Sequence, residues 1–460
     1  MPIKKIYIFL FFTGLFFLGF NEYEGIPFLG EFQTEVAALF FLLGFCFLVL
    51  SGKIALPLKS PLFRILLLFV AWCIICTLIN IPTVATNYFK HIPGISRFIR
   101  QLFSLLLSVG VFFLLYWNVA INMSIKELFY RIRKVIFWSL IAASIYGFLE
   151  ILVVFYHFSP ARQVLELFSY LPFIEVGYVS NRISSITFEA PSLGTYLITI
   201  SGWMFSYILT SNRPVRFVPA LLVLILMYYS DSRTALVIVS LQFIIFMVYM
   251  LRFEKYRKFI INLSVVLALT ITAVMAINGR KITKRLESLN FVENFKSNIS
   301  NKSRFGIQYA SIQVFKEHPV AGVGFGQLAY HSRFHYPGWA THNNWEFKYL
   351  YKNQKVSSFP PAYNIYTRLL AETGIIGLGI FLAFIYFVLV RCKNLIIATT
   401  GYKQVMVVSL LITFSGLFLN WFQIDSFRLF GIWISLALLM RFAMPDTIEA
   451  NQKESTSSNE

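Results

Sequence analysis

Residues 217–251 read FVPALLVLILMYYSDSRTALVIVSLQFIIFMVYML, two apolar runs that are separated by one short polar turn. Neither run, at 217–230 or at 234–251, contains a charged residue. Apolar runs of this kind recur along most of the chain, and runs of roughly 17–25 residues are typical of helices that cross a membrane. Only 13% of the chain is charged, against about 25% in ordinary soluble proteins. These features exclude a soluble globular protein.

Twelve apolar segments are candidate membrane helices. They cover 6–22, 34–51, 62–81, 102–119, 135–155, 191–210, 217–230, 234–251, 259–278, 371–390, 404–421 and 427–442. The chain then divides into membrane helices one to nine (1–278), a large external loop (279–370), membrane helices ten to twelve (371–443) and a disordered cytoplasmic tail (444–460). The prediction is an all-α polytopic integral membrane protein with about 12 transmembrane helices and one large, partly helical loop before the last three.

The distribution of Lys and Arg predicts that both termini lie in the cytoplasm. In that orientation, twenty of the forty Lys and Arg fall in cytoplasmic connections and termini, and thirteen of the others fall in the large loop. Cytoplasmic connections carry an excess of Lys and Arg, and long translocated loops are largely exempt from this bias. We therefore expect the large loop to face the outside.

The large loop is strongly basic. Between Gly279 and Arg368 there are thirteen Lys or Arg and four Glu, so this interval carries +9. An external basic surface favours an anionic partner at the membrane. The net charge of +19 for the whole chain fits anionic membrane lipids. Because the sequence has no arginine-rich tail and no nucleic-acid fold signature, nucleic acid is not an expected partner.

Arg233 lies in the short turn between the two runs quoted above. A charge this close to the hydrocarbon is costly unless it is solvated or paired, so Arg233 is a candidate functional residue. The alternative is a flanking arginine that reaches the lipid headgroups, paired with Asp231.

Ser303 and Arg304 precede an amphipathic pattern that ends before Pro319, with Ser303 as a candidate N-cap. A cation in the first helical turn opposes the helix dipole, and an anion bound there would offset this cost. The alternative is that Arg304 is one surface arginine among many.

The segment 182–192, Arg-Ile-Ser-Ser-Ile-Thr-Phe-Glu-Ala-Pro-Ser, leads into the sixth apolar run. Glu189 at this boundary could act as a base or pair with an arginine. It could equally be an acidic residue at the start of a helix, where the dipole favours it.

Gly322, Gly324 and Gly326 alternate after His318-Pro319, without the strand-turn-helix context of a dinucleotide site. They predict a turn whose backbone closely approaches a neighbouring group. His342 lies among aromatic residues that could stack on sugars or form an interfacial belt. No group of residues has metal-ligand spacing, so we expect no metal and no cofactor.

These patterns, in this order, resemble the O-antigen polymerase and ligase family of polysaccharide assembly. Three patterns carry the resemblance. They are Ser232-Arg233-Thr234, Arg304 followed by His318-Pro319-x-x-Gly322-x-Gly324-x-Gly326, and Tyr363-Asn364-x-Tyr366-x-x-Leu369-x-x-Glu372-x-Gly374-Ile375-x-Gly377. The large loop before the last three spans also matches, whereas the first half of the chain matches by hydropathy alone.

The resemblance implies glycosyl transfer on the outer face of the bacterial cytoplasmic (inner) membrane. The donor would be a glycan on undecaprenyl pyrophosphate, the acceptor a sugar hydroxyl, and the other partners membrane lipids and a chain-length regulator. Arg233 and Arg304 would stabilise the departing pyrophosphate, with Glu189 or His342 assisting the acceptor hydroxyl. The residues that would bind substrate are Arg182, His318, Tyr363, Asn364 and Arg368.

The resemblance leaves polymerase and ligase as alternatives. Ligase-like members carry a catalytic histidine where this chain has Tyr363, whose pKa near 10 makes it a poor base at neutral pH. The segment Phe188-Glu189-Ala190-Pro191-Ser192 resembles the Glu-Pro-Ser region of polymerases, with one residue inserted. A polymerase is therefore favoured. A flippase for lipid-linked glycans would place charges inside the spans, which are nearly free of charge apart from Glu150.

Overall fold

The structure, a computed structural model, describes residues 3–179, 181–252, 254, 256–262, 264–266, 269, 272 and 298–444, and most of them are helical. The helices with described bounds are α1 Ile3–Phe16, α2 Val36–Leu50, α3 Pro61–Ile79, α4 Ile81–Thr86, α5 Gly94–Leu106, α6 Phe113–Ile121, α7 Ile125–Tyr156, α8 Ser159–Glu166, α9 Ala190–Thr210, α10 Val218–Tyr229, α11 Arg233–Leu251, α12 Ile299–Glu317, α13 Leu328–Ser332, α14 Gly338–Thr341, α15 Ile365–Ala398, α16 Gly401–Asn420 and α17 Phe430–Arg441. A π-helical segment, Leu107–Phe112, joins α5 to α6, and a second one spans Glu346–Tyr351.

Seven helices within the described ranges are long and apolar enough to cross a membrane. They are Pro61–Ile79, Gly94–Ile121, Ile125–Tyr156, Ala190–Thr210, Arg233–Leu251, Ile365–Ala398 and Gly401–Asn420. Shorter apolar helices occupy Val36–Leu50, Pro214–Tyr229 and Phe430–Arg441, and α1 covers residues 6–16 of the first predicted span. The prediction of an all-α polytopic membrane protein is confirmed. Most of the predicted span 259–278, the loop residues 279–297 and the tail from Pro445 lie outside the described residues.

Small residues let the membrane helices pack closely. In α9, a Cβ added at Gly202 would lie 2.3 Å from the carbonyl oxygen of Ser409 in α16. Glycine at such a contact lets two backbones approach, as is common where membrane helices pack. Close aromatic contacts fill the space between α1, α2 and α6, where the rings of Phe41 and Tyr116 lie 4.8 Å apart.

Within the described ranges, the β-strands are confined to one hairpin of two short strands, β1 Tyr88–Phe89 and β2 Ile92–Pro93. Lys90 at its tip is buried, and its Nζ donates to the carbonyl oxygens of Leu350 and Ser358 at 2.6 and 2.7 Å. The hairpin therefore ties the first half of the chain to the large loop. The described part of that loop is partly helical, as predicted, with α12, α13 and α14.

The alternating glycines form the close backbone contact that the sequence predicts. Gly322, Gly324 and Gly326 have φ of 66°, 99° and 79°. A Cβ at Gly322 would lie 2.4 Å from the carbonyl carbon of Glu372, and the amide of Gly324 donates to the carbonyl oxygen of Glu372 at 2.9 Å. This turn therefore packs directly on the backbone of α15.

Gly374 breaks α15 where the glycine turn meets it. Its φ of 66° and ψ of −170° are not helical, and a Cβ there would lie 2.1 Å from the carbonyl oxygen of Val320. The amide of Ile375 donates to the carbonyl oxygen of Pro319 at 2.9 Å. This hydrogen bond to the turn replaces a backbone hydrogen bond that is lost where α15 is broken.

Two helix starts differ from those expected from the sequence. The helix α15 begins at Ile365 rather than at 371, because the Asn364 side chain caps it by accepting from the amides of Tyr366 and Thr367. The prediction that Ser303 caps the helix carrying Arg304 is wrong. That helix begins at Ile299, and the Asn298 side chain accepts from the amide of Asn301 at 3.3 Å.

Candidate active site

The described residues enclose a cavity of about 850 Å³ at one end of the helix bundle. Its wall contains residues that follow α1, the last residues of α16, the start of several other helices, and residues from the loops beside them. These helix ends all line the same cavity. Residues far apart in the sequence therefore share one space.

In the described part of the chain, five helices begin at this cavity. Their first residues or N-caps lie in its wall: Glu35 before α2, Glu189 before α9, Ser232 before α11, Asn298 before α12 and Leu429 before α17. The free N–H groups and positive dipole end of a helix start favour anions. The backbone alone therefore favours negative charge in the cavity.

Arg233 is the first residue of α11, and it lies exposed in the cavity wall. The helix starts there because the side chain of Ser232 accepts from the amide of Ala235 at 3.4 Å. Among the described residues, none forms a hydrogen bond or an ion pair with the Arg233 guanidinium. The alternative of a pair with Asp231 is not what the structure shows, and the guanidinium is available to a ligand.

Arg304 lies in the second turn of α12, not in the first turn as the sequence suggested. Its guanidinium stacks on the Tyr363 ring, 5.0 Å from the ring centroid, and one terminal nitrogen donates to Oε1 of Gln423 at 3.4 Å. Its Nε is buried and has no hydrogen-bond partner among the described residues. Arg304 is thus held in place while part of its hydrogen-bonding capacity remains unused.

Gln423 links the two arginine-bearing segments. Its Oε1 also accepts a hydrogen bond from the hydroxyl of Thr234, the residue after Arg233. Gln423 belongs to the short connection between α16 and α17, which also brings Asp425 and Arg428 to the cavity. None of these three residues was expected from the sequence. The signal that could have found them is a cluster of polar side chains between two apolar spans.

Arg182 and Glu189 lie in the segment that leads into α9, and both side chains are exposed in the cavity wall. The structure therefore brings Arg182, Glu189, Arg233 and Arg304 together from three separate stretches of sequence. With Tyr363, they are the predicted site residues that line the cavity.

Tyr363 has φ of 57°, and its hydroxyl lies 2.6 Å from the hydroxyl of Tyr351. Burial raises the pKa of Tyr363 above its ordinary value of 10.0, although the hydrogen bond with Tyr351 lowers it. A phenol whose pKa is raised is protonated near pH 7, so it is not suited to accept a proton. Its ring contact with Arg304 is consistent with a role in orienting that arginine.

His318 and His342 do not belong to the cavity wall that the structure describes. His342 is exposed at the end of α14, and His318 is exposed at the end of α12, with its ring centroid 5.9 Å from that of His331. Asn364 serves as the cap of α15.

Arg368 is buried beneath the cavity rather than in its wall. Its Nε lies 3.2 Å from Oε2 of Glu372, and its other nitrogens donate to the side chain of Gln101 and the carbonyl oxygen of Asp425. Gln101 in turn donates to Glu31 at 2.9 Å. Burial would raise the pKa of Glu31, but Arg368 together with hydrogen bonds from Ser426 and Gln101 lowers it. This buried network supports the connection that carries Gln423.

The described cavity wall carries four arginines and four acidic residues. They are Arg182, Arg233, Arg304 and Arg428, and Glu35, Glu189, Asp231 and Asp425. Burial raises the pKa of Glu35, although Arg428 opposes this. The arginines can hold phosphate oxygens bidentately, and a carboxylate can accept a proton from a hydroxyl. Among the described residues, no group of three or more His, Cys, Asp or Glu is placed to hold a metal ion.

Residues 218–382 match the family model described as O-antigen ligase. The match covers 165 of the 460 residues. The predicted resemblance is confirmed over this segment, and the protein is a multi-pass membrane protein. No curated protein matches the chain.

The segment that matches the O-antigen ligase model supplies one part of the cavity wall. Its wall residues include Arg233, Arg304 and Tyr363, and further wall residues come from segments before 218 and after 382. Arg182 and Glu189 precede the matched segment, and Gln423 follows it. The described cavity therefore forms only when the matched segment packs against other parts of the chain.

Proposed function

We propose that the protein is a polymerase that joins lipid-linked glycan repeat units in this cavity, on the outer face of the bacterial cytoplasmic membrane. The donor is a glycan on a polyprenyl pyrophosphate such as undecaprenyl pyrophosphate, and the acceptor is a hydroxyl of another lipid-linked glycan. The observation that carries the proposal is Arg233, an arginine without a partner among the described residues, at a cavity where five helices begin.

In the proposed reaction, the acceptor hydroxyl oxygen forms a bond to the anomeric carbon of the donor. The bond between that carbon and the pyrophosphate oxygen breaks, and the pyrophosphate leaves with the electron pair. Negative charge therefore grows on the pyrophosphate, and donors fixed in advance around it lower the barrier. Arg233 and Arg304 fill this role, assisted by Arg182.

The proton of the acceptor hydroxyl passes to a carboxylate, for which Glu189 is the candidate. Its side chain is exposed to the cavity, whereas His342 does not belong to the described wall. The transition state is oxocarbenium-like, as in other glycosyl chemistry, so a fixed carboxylate would also stabilise the positive charge on the sugar.

A polymerase is favoured over a ligase on the chemistry of Tyr363. This residue occupies the position of the catalytic histidine of ligase-like members, and its raised pKa and its contact with Arg304 support orientation rather than proton transfer. The two reactions share donor and leaving group and differ only in the acceptor.

Deletion of the gene, followed by mass analysis of surface and lipid-linked glycans, tests the proposal. A polymerase deletion should leave surface glycan that carries a single repeat unit, and the wild-type gene should restore the polymer. Long polymer that accumulates on the lipid carrier, with none on the final anchor, would instead identify a ligase. Unchanged glycans would contradict both.

A further inference from the structure

The segment before α9 holds two residues with a left-handed backbone. Asn181 has φ of 64° and Ser185 has φ of 55°. Non-glycine residues adopt this conformation when the surrounding structure enforces it, and such positions concentrate at functional sites. Arg182 and Glu189 lie in the same segment, so whatever holds this backbone also sets the positions of two cavity residues.

Glu150 holds this segment from α7. The carboxylate is buried, with 1% of the residue exposed. Its Oε1 accepts from the amide of Ser184 at 3.0 Å, and its Oε2 accepts from the amide of Ser185 at 2.7 Å. The hydroxyl of Ser185 donates to the carbonyl oxygen of Ala143, also in α7, at 2.7 Å. Both carboxylate oxygens therefore bind the backbone between Arg182 and Glu189.

Two backbone amides of the same segment make further contacts. The amide of Ile183 donates to the carbonyl oxygen of Tyr229 at 3.1 Å, and the amide of Phe188 donates to Oδ1 of Asn21 at 2.7 Å. The first contact involves no side chain, and Asn21 belongs to the cavity wall. Glu150 does not belong to the described cavity wall, so its substitution separates positioning from direct contact with substrate.

We infer that Glu150 is a positioning residue for glycosyl transfer, which fixes Arg182 and Glu189 against the cavity through the amides of Ser184 and Ser185. The inference rests on the proposed function for the roles of those two residues. A buried carboxylate is costly unless its oxygens are satisfied, and here the loop supplies the donors. The buried acidic residue of the long helix α7 thus acts as an anchor for an active-site loop.

The substitution Glu150→Gln retains the size of the side chain and removes one acceptor, because its amide NH₂ would face a backbone N–H. The matched control is Glu127→Gln in the first turn of the same helix, where Glu127 is exposed and pairs with Arg131 at 2.7 Å. Hydrogen exchange followed by mass spectrometry, on the full-length protein in lipid nanodiscs, reports the amides of Ser184 and Ser185 directly. The rate of polymer formation is measured in membranes that supply their own lipid-linked substrate.

We expect Glu150→Gln to accelerate exchange within 181–189 alone and to slow polymer formation by roughly 10–100-fold, since small misplacements of reacting groups have effects of this size. The control Glu127→Gln should change neither the exchange rates within 181–189 nor the rate of polymer formation. Glu150→Asp retains the charge, so it should restore part of the rate. If Glu150→Gln does not fold, Glu150→Asp still decides, because it should show local exchange and an intermediate rate.

Unchanged exchange at Ser184 and Ser185 would overturn the inference, as would an undiminished rate of polymer formation. Faster exchange throughout the protein, with a lower Tm, would also overturn it, because that pattern indicates a general role in folding. Failure of the proposed function can be told apart from failure of this inference. It would appear as full activity of Arg233→Ala and Arg304→Ala, independent of the hydrogen-exchange rates at 181–189.

Discussion

At the scale of single residues, the proposed function separates groups that would contact substrate from groups that hold them. Arg233 has no partner among the described residues, whereas Arg304 is held between Tyr363 and Gln423. Because Arg304 is restrained before substrate arrives, little order remains to be imposed on it during binding. Arg233 supplies a guanidinium that the substrate itself must order.

The first prediction concerns these two arginines. Arg233→Ala and Arg304→Ala should each lower polymer formation by roughly 10²–10³-fold, the range found when one fixed donor to a developing negative charge is removed. Lysine should restore only part, because it lacks bidentate geometry. Surface glycan length and protein level in membranes provide the measurement. Arg213→Ala is the control, since Arg213 is exposed between α9 and α10, away from the described cavity wall.

Full activity of either alanine variant would remove that arginine from the site. A loss that is equal in Arg213→Ala would mean that the effect is one of total charge rather than of position.

The second prediction concerns Tyr363. Tyr363→Phe retains the ring beneath Arg304 and loses the hydrogen bond with Tyr351, so most activity should remain. Tyr363→Ala removes the ring as well and should lower activity further, because the Arg304 guanidinium then loses its stacking partner. The same glycan assay compares the two. If Tyr363→Phe were as inactive as Arg233→Ala at normal protein level, the phenol itself would be needed for the reaction.

The sequence predicted several individual residues of this site, but it did not predict which residues would come together in the cavity. The short turn around Arg233 between two apolar runs fixed that residue at one end of the bundle. For α12, Asn298, Ser300, Asn301 and Ser303 are all acceptable caps, so the sequence could not choose the helix start. Gln423 meets Arg304 only through packing across more than a hundred residues, for which no local pattern exists. His342 has suitable chemistry, but its position in the fold keeps it out of the described wall.

At the scale of helices and turns, the contact between the glycine turn and α15 joins the large loop to a membrane helix. Both segments belong to the patterns that carry the family resemblance, and the glycines of the turn predicted that its backbone makes a close contact. The sequence did not predict that the contact is with the backbone at Glu372 and Gly374. A contact between two backbones leaves no side-chain signal at the second segment.

The third prediction tests this contact. Gly374→Ala should destabilise the protein by a few kcal/mol, since a left-handed residue other than glycine costs about 1–2 kcal/mol and overpacking costs typically about 1–3 kcal/mol. Gly379→Ala is the matched control in the same helix, because an added Cβ there has no neighbour within 4 Å among the described residues. Thermal unfolding in detergent measures both. Equal Tm values for the two variants would contradict the described contact.

At the scale of the whole molecule, the helices of the described ranges bring distant parts of the chain to one cavity. The cavity wall combines the segment that matches the family model with segments on either side of it. The fold class followed from composition and apolar runs, because bilayer thickness dictates the helix lengths. The sidedness rests on the distribution of Lys and Arg.

The fourth prediction is that the cavity faces the outside. A cysteine at Gly338 in the large loop should react with a membrane-impermeant maleimide in intact cells, since the site is open and an added Cβ has no close neighbour among the described residues. A cysteine at Lys53, exposed between α2 and α3, should react only after the membrane is permeabilised. Each cysteine is introduced into a variant in which Cys46, Cys73, Cys76 and Cys392 have been replaced. The reverse labelling pattern would place the cavity on the cytoplasmic side.

The convergence of helix starts on one cavity bears on how such enzymes are recognised. Under the proposed function, part of the attraction for the pyrophosphate would come from peptide groups that every amino acid carries, so no side-chain substitution could remove it. Two proteins could therefore keep the same helix starts, exchange the positions of their arginines, and still bind the same lipid carrier. A search that compares side chains alone would separate such proteins, whereas a comparison of where their helices begin would group them.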